Sequence, residues 1–228
     1  MIYPKAKKLL EKLSYEAFLK EHQVTLIGGT AIAYQLSHRV SYDLDFAFVY
    51  DKTLPKLTFL ERYEATSLSF DSSLVDTVIH EGADIDDYHR RFSIDGVKVD
   101  FVVNPSSNIY ENNILKEDKG IYLNSLKIAS LEALFELKSL LLLDRNKIRD
   151  LYDIVYLVKY SNFDVKDILE TIKKYRITYT NEDIINLIAS RQPDIFDIEF
   201  EGIVEAKMGI CDYDELRDFI IEEMKKIV

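Results

Sequence analysis

The sequence predicts an α+β protein, with a mixed β-sheet flanked by helices in the N-terminal half and a helical half after it. Two observations predict this. Up to about residue 128, short runs rich in Val, Ile, Phe and Tyr alternate with turn residues, whereas from Ser130 onward nearly every stretch repeats at helical spacing. The 228 residues, 47% of them hydrophobic, can fill one large core or two modest ones. The change of texture divides the chain into an α/β domain over 1–128 and a helical domain over 129–228, with no low-complexity linker and no internal repeat.

Leu9, Leu10, Leu13, Ala17 and Phe18 recur near helical spacing and predict an amphipathic helix over residues 5–20. "QVTLIGG" reads as a strand ending in a glycine turn, "TAIAYQL" as a short helix and "YDLDFAFVY" as a β-prone strand. A helix over Pro55–Tyr63 comes next, then three alternating runs, "TSLSFDSS", "VDTVIHE" and "RRFSI", as strands. "SIDGVKVDFVV" predicts a hairpin, because Asp95-Gly96 tolerates the positive φ angles of a tight turn. Asn104-Pro105 punctuates the chain. Five helical segments follow: "SLEALFELKSLLLL", "RDLYDIVYLVKY", "DVKDILETIKKY", "NEDIINLIAS" and "DYDELRDFIIEEMKKI", with Asp164 and Asn181 as N-caps.

Cys211 is the only cysteine, which excludes an internal disulfide and a cysteine metal cluster. His22, His38, His80 and His89 lack zinc-ligand spacing, so a metal used here is expected to be a hard ion held by oxygen. No apolar run approaches the ~18 residues of a membrane span, and charges interrupt the N-terminus where a signal peptide would be apolar. The expectation is a cytoplasmic protein with no membrane partner. A net charge of -11 counts against nucleic acid as a partner. Residues 194–228, however, hold eleven acids against four bases, so most of the acidity belongs to the tail.

Asp43 and Asp45 flank Leu44, and on a strand they would project from one face, roughly 7 Å apart. Such a pair suits magnesium held together with substrate phosphates; the alternative is a solvated strand end. Gly28 and Gly29 follow a strand and Thr30 opens a helix, so backbone N–H groups could face a phosphate; alternatively "GGT" is only a tight turn. Asp100 lies with Lys98 on the face of its strand opposite Val97, Val99, Phe101 and Val103. If that strand neighbours the Asp43 strand, Asp100 completes a three-carboxylate site for two metals; otherwise it is an ordinary exposed aspartate. Lys138 falls in the apolar stripe of Leu131, Leu134, Phe135, Leu141 and Leu142, where a lysine must snorkel or meet an anion. Arg149 and Asp153 are four apart on one helical face and read either as an ion pair or as a phosphate contact with its orienting acid. Lys138, Arg145, Lys147 and Arg149 form the most basic stretch and the expected anion-binding surface.

"GGTAIAYQLSHRVSYDLDF" and "LKSLLLLDRNKIRDLYDIVYL" together resemble the two signatures of the AbiEii/AbiGii-type nucleotidyltransferases, toxins of type IV toxin-antitoxin and phage-abortive systems within the DNA polymerase β-like superfamily. The resemblance spans residues 24 to about 158. It implies an N-terminal nucleotidyltransferase domain, a helical domain completing the active site, and transfer of a nucleoside monophosphate from an NTP to an acceptor, RNA such as tRNA. It implies Asp43 and Asp45 as metal ligands, Lys138 and Asp153 as catalytic residues, and Gly28, Gly29, Thr30, Arg39, Ser41 and Arg149 as nucleotide contacts. Threonine stands at 30 where the superfamily has serine, and the position of Asp100 is not fixed by the family pattern. Mg2+ is the implied cofactor, two ions with Mn2+ as a substitute, and a cognate antitoxin follows by family analogy. The acidity leaves open a small cationic acceptor of the aminoglycoside kind, and a non-catalytic partner-binding relative is a third reading.

Overall fold

Two neighbouring parallel strands, β2 (Leu44–Phe48) and β5 (Val97–Val103), form the middle of a mixed sheet that has seven strands among the described residues. The structure, a computed structural model of the chain, describes residues 1–70, 84–103, 111–193, 208 and 212–228. The expected strand "VDTVIHE", the end of "TSLSFDSS", the Asn104-Pro105 punctuation, His80 and Cys211 lie outside the described residues.

The contacts divide the chain into two compact units. One comprises Ile2–Tyr34 and Ser41–Ser130, the other Met1, Gln35–Val40 and Leu131–Val228.

The first unit carries the sheet. Its strands are β1 (Thr25–Ile27), β2, β3 (Thr66–Leu68), β4 (His89–Ile94), β5, β6 (Ile121–Leu123) and β7 (Leu126–Ile128), in the spatial order β3-β4-β5-β2-β1-β7-β6. β2 runs parallel to β5 and antiparallel to β1, β1 runs parallel to β7, and the remaining pairs are antiparallel. The β4–β5 hairpin turns at Asp95 (φ 52°) and Gly96 (φ 75°), the left-handed pair that a two-residue loop demands. Phe46, Phe48 and Phe101 are fully buried, with the rings of Phe46 and Phe101 stacked at 5.4 Å. Parallel neighbours are commonly covered on both faces, and here even Asp100 keeps only 4% exposure, so it is not the ordinary exposed aspartate of a half-buried strand.

The helix expected over residues 5–20 is two helices, α1 (Pro4–Leu13) and α2 (Ala17–Glu21). Ser14 explains the break: its carbonyl accepts from the backbone N–H and hydroxyl of Ser125, and its hydroxyl from Asn124, so the chain there serves the β6–β7 turn. α3 (Gly28–Leu36) starts directly after β1. The segment expected as a helix over Pro55–Tyr63 forms only a 3-10 turn, Thr58–Tyr63. A short helix, α4 (Asn113–Glu117), precedes β6.

The second unit contains α5 (Leu131–Asp144), α6 (Ile148–Tyr160), α7 (Val165–Tyr175), α8 (Asn181–Ser190) and α9 (Tyr213–Lys225). α5 packs on α6 and α7, while α9 lies against α6, α7 and α8. Asp164 caps α7 through a reciprocal capping box with Asp167. α8 is capped by Thr180 rather than Asn181: Thr180 Oγ1 accepts from the Asp183 N–H, and the Asp183 carboxylate accepts from the Thr180 N–H, leaving Asn181 as the first helical residue. Among the described residues no helix is long and apolar enough to cross a membrane.

Candidate functional site

In the sheet unit, register brings the carboxylates together. Asp45 pairs with Asp100 across β2 and β5 and with Ile27 across β1 and β2, and Asp43 sits just before β2. The strand-neighbour condition posed for Asp100 is therefore met.

Gly28 opens α3 with φ 73°, a conformation that side chains rarely tolerate. A Cβ added there would lie 2.4 Å from Asp45 Oδ2, so the missing side chain makes room for a carboxylate of the protein itself. Gly29 follows, half-buried in the first turn. Thr30 is fully buried; its hydroxyl donates to the Asp43 carbonyl and lies 2.7 Å from Ser41 Oγ. A hydroxyl has one proton, so Thr30 donates to Asp43 and accepts from Ser41. Thr30 and Ser41 thus brace the backbone that presents Asp43.

Two cations and an imidazole stand around these acids. Lys98 Nζ lies 2.7 Å from Asp43 Oδ2 and 3.8 Å from Asp100 Oδ2. Asp100 Oδ1 receives His89 Nε2 at 2.7 Å and Arg91 Nε at 2.8 Å. The ring of Phe70 packs against His89, tilted with centroids 4.5 Å apart, and lies beneath the Arg91 guanidinium at 4.9 Å. Burial alone would raise the Asp100 pKa, but the hydrogen bonds from His89 and Arg91 outweigh it and hold the carboxyl below its ordinary range. Among the described residues no three His, Cys, Asp or Glu side chains are gathered closely enough to hold a metal. The donor chemistry nevertheless suits a hard cation, since a cationic ammonium already bridges Asp43 and Asp100 through carboxylate oxygens.

The helical unit holds a second, drier cluster. Lys138 on α5 is 6% exposed and does not snorkel. Its ammonium lies 2.5 Å from Asp150 Oδ1 and 2.8 Å from Asp153 Oδ2, so the anion it meets is a pair of carboxylates one helical turn apart on α6. Asp153 is fully buried and also takes Arg39 in a two-pronged contact, Nε at 2.6 Å and Nη2 at 3.0 Å, together with His38 Nε2 at 2.6 Å. Arg145 Nε stands 3.6 Å from Asp150 Oδ2.

Burial works against every charge here, and the partners decide the outcome. It would raise the Asp153 pKa, yet Arg39, Lys138 and His38 hold it well below the usual carboxylate range. Burial would lower Lys138, yet Asp150 and Asp153 raise it, so the ammonium stays charged. For His38 burial wins over Asp153 and the pKa falls, leaving a neutral ring. A neutral His38 that donates from Nε2 keeps Nδ1 as an acceptor, and that atom is buried with no partner.

The chain matches the family described as "Nucleotidyl transferase AbiEii toxin, Type IV TA system" over residues 9–226. It belongs to the AbiEii nucleotidyl transferase toxin family. No curated protein matches it. Among solved structures, the crystal structure of the Megavirus polyadenylate synthase is similar at 12% identity and a TM-score of 0.36, over 78% of this chain. The chain spans 39% of that protein.

In this AbiEii-family chain the residues singled out from the sequence fall into two groups. Gly28, Gly29, Thr30, Ser41, Asp43, Asp45 and Asp100 belong to the sheet unit; Arg39, Lys138, Arg149 and Asp153 belong to the helical unit. Arg149 is half-buried on α6, and Asp153 is held by Arg39, Lys138 and His38, not by an intrahelical pair with Arg149. The basic stretch is not a continuous cationic surface, because Lys138 is buried on carboxylates.

The sequence does not single out Asp150, His38, His89 or Arg91. Asp150 had a signal: it stands three residues before Asp153, on the same helical face. His89 and Arg91 had one too, since they alternate on one face of a strand that pairs with Asp100 in a predicted hairpin.

Proposed function

We propose that this AbiEii-family chain is a magnesium-dependent nucleotidyltransferase that moves a nucleoside monophosphate from an NTP to an acceptor, RNA such as tRNA, and acts as the toxin of a toxin-antitoxin pair. One observation carries the reading: Asp45 and Asp100 are register partners on adjacent parallel strands, with Asp43 two residues before Asp45.

In this reading Asp43 and Asp45 would hold Mg2+, two ions in the full site, with Asp100 as the third carboxylate. When bound, the ions neutralise the triphosphate and favour attack at the α-phosphorus with pyrophosphate leaving. The chain's own residues supply the positioning. Thr30 and Ser41 fix the backbone at Asp43 and Gly28 leaves space for Asp45, and the N–H groups opening α3 would meet the phosphate oxygens. Arg91 and His89 hold Asp100 ionised and oriented. For Lys138 to offset negative charge on a phosphate, it would exchange Asp150 for that anion and keep Asp153. Asp150 retains slight exposure while Asp153 has none, which makes Asp150 the exchangeable partner.

The test offers each α-labelled NTP, with magnesium, to total tRNA, aminoglycosides or protein. Label should pass to RNA, and Asp45→Ala should lose about a hundred-fold or more of that transfer while melting as the wild type does. Expressed alone, the wild type should slow a bacterial host and Asp45→Ala should not, with relief by an antitoxin. Transfer to no acceptor by folded protein, or unimpaired transfer by Asp45→Ala, would sink the reading. The net charge of -11 favours a second acceptor class, a small polycation, which the aminoglycoside arm detects.

A further inference from the structure

We infer that Lys98 is a resident counter-ion of the carboxylate site. Its ammonium takes the same oxygens a divalent cation would take, so metal loading is an exchange of one cation for another. The inference rests on the proposed metal site and says how that site is filled.

Three features support it. Lys98 and Asp100 are two residues apart on β5 and therefore share a face, and Lys98 reaches from there to Asp43 Oδ2 at 2.7 Å while remaining 3.8 Å from Asp100 Oδ2. Asp100 Oδ1 is held by both His89 and Arg91, so Oδ2, the oxygen nearer Lys98, is the one left for exchange. The Lys98 side chain is 31% exposed, and its four-carbon stem can carry the ammonium into water without unpacking β5. Arg91 could not leave as easily, because its guanidinium also rests on the Phe70 ring.

Lys98 Nζ stands between Asp43 Oδ2 and Asp100 Oδ2, where a positive charge offsets the mutual repulsion of two carboxylates. The tethered ammonium supplies that charge before any ion arrives and sets a threshold concentration for the metal. The exchange moves no electrons and breaks no covalent bond: Lys98 leaves as an ammonium and becomes hydrated.

The experiment measures Mn2+ binding by electron paramagnetic resonance, without nucleotide, for the wild type, Lys98→Gln and Asp45→Asn. In parallel, an acetylating reagent is applied to the wild type with and without saturating Mn2+, and modification of Lys98 and Lys12 is read by mass spectrometry. Lys98→Gln should bind Mn2+ about two- to five-fold more tightly, the scale of a partly exposed ion pair. Mn2+ should raise acetylation of Lys98 several-fold relative to Lys12. Tight Mn2+ binding that Asp45→Asn abolishes, with no gain in Lys98→Gln and no change in Lys98 acetylation, would overturn the exchange and leave the metal site standing. Absence of Mn2+ binding in all three proteins would overturn both. The acetylation readout uses wild-type protein and decides the matter even if the glutamine variant folds poorly.

Discussion

Asp153 in the helical unit is fully buried, and both its oxygens are held by Arg39, Lys138 and His38. Asp43 in the sheet unit keeps 21% of its side chain exposed, and its Lys98 partner keeps 31%. The same pairing of carboxylate and ammonium serves opposite ends in the two places. Where water is excluded, separating the charges is costly and the pair is a fixture of the fold. Where water reaches, the pair is worth little and can be exchanged. A ligand can therefore compete for the sheet-unit carboxylates, whereas Asp153 offers nothing to bind without first losing a partner.

The largest expected break in this comparison comes from Asp153→Ala, which strands Arg39 and Lys138 without their shared anion. Removing one partner of a buried pair costs about 3–5 kcal/mol, and a urea melt should show a loss of that size. A loss below about 1 kcal/mol, the range of exposed pairs, would erase the distinction between the two clusters. Gly28→Ala comes next, because it combines a φ of 73° with a clash at Asp45 Oδ2. Strained backbone of this kind costs about 1–3 kcal/mol, and Asp45 should be displaced, so transfer should fall further than the melt alone would suggest. An alanine variant with wild-type melting and transfer would show that the close approach at Gly28 is immaterial.

The smallest effect concerns pH. The folded-state pKa of His38 lies below its unfolded value, so the unfolded chain binds the extra proton first. Stability should be full above the unfolded value of about 6.5 and decline as pH falls below it toward the folded value. His38→Gln, which can still donate to Asp153, should decline less between pH 7 and 5. Asp153, with its strongly depressed pKa, adds a separate loss confined to more acid conditions. Identical slopes for wild type and His38→Gln above pH 5 would mean that the imidazole is not held neutral.

Local chemistry explains what the sequence discloses here. Asp95-Gly96 can be read as a hairpin because the turn residues themselves carry the positive φ angles. β6 and β7 escape notice because each is three residues long, with a turn at Asn124 that gives no Asn-Gly signal, and β7 is fixed by pairing with β1 a hundred residues away. Lys138 betrays itself as a charge in an apolar stripe, but its partners do not: Asp153 draws Arg39 and His38 from over a hundred residues upstream, a separation no periodicity records. Asp100 lies between these cases. Its strand was legible, and its burial was not, because burial depends on what covers the face of the sheet.

The inclusion of Gln35–Val40 in the helical unit bears on the order of synthesis. Arg39 leaves the ribosome about a hundred residues before Asp153 exists, and α6 cannot bury that carboxylate at full strength without it. Arg39 therefore waits for its acid until α6 has been made. A fragment starting at Leu131 would inherit an acid missing two of its three donors, leaving Asp153 buried against Lys138 alone.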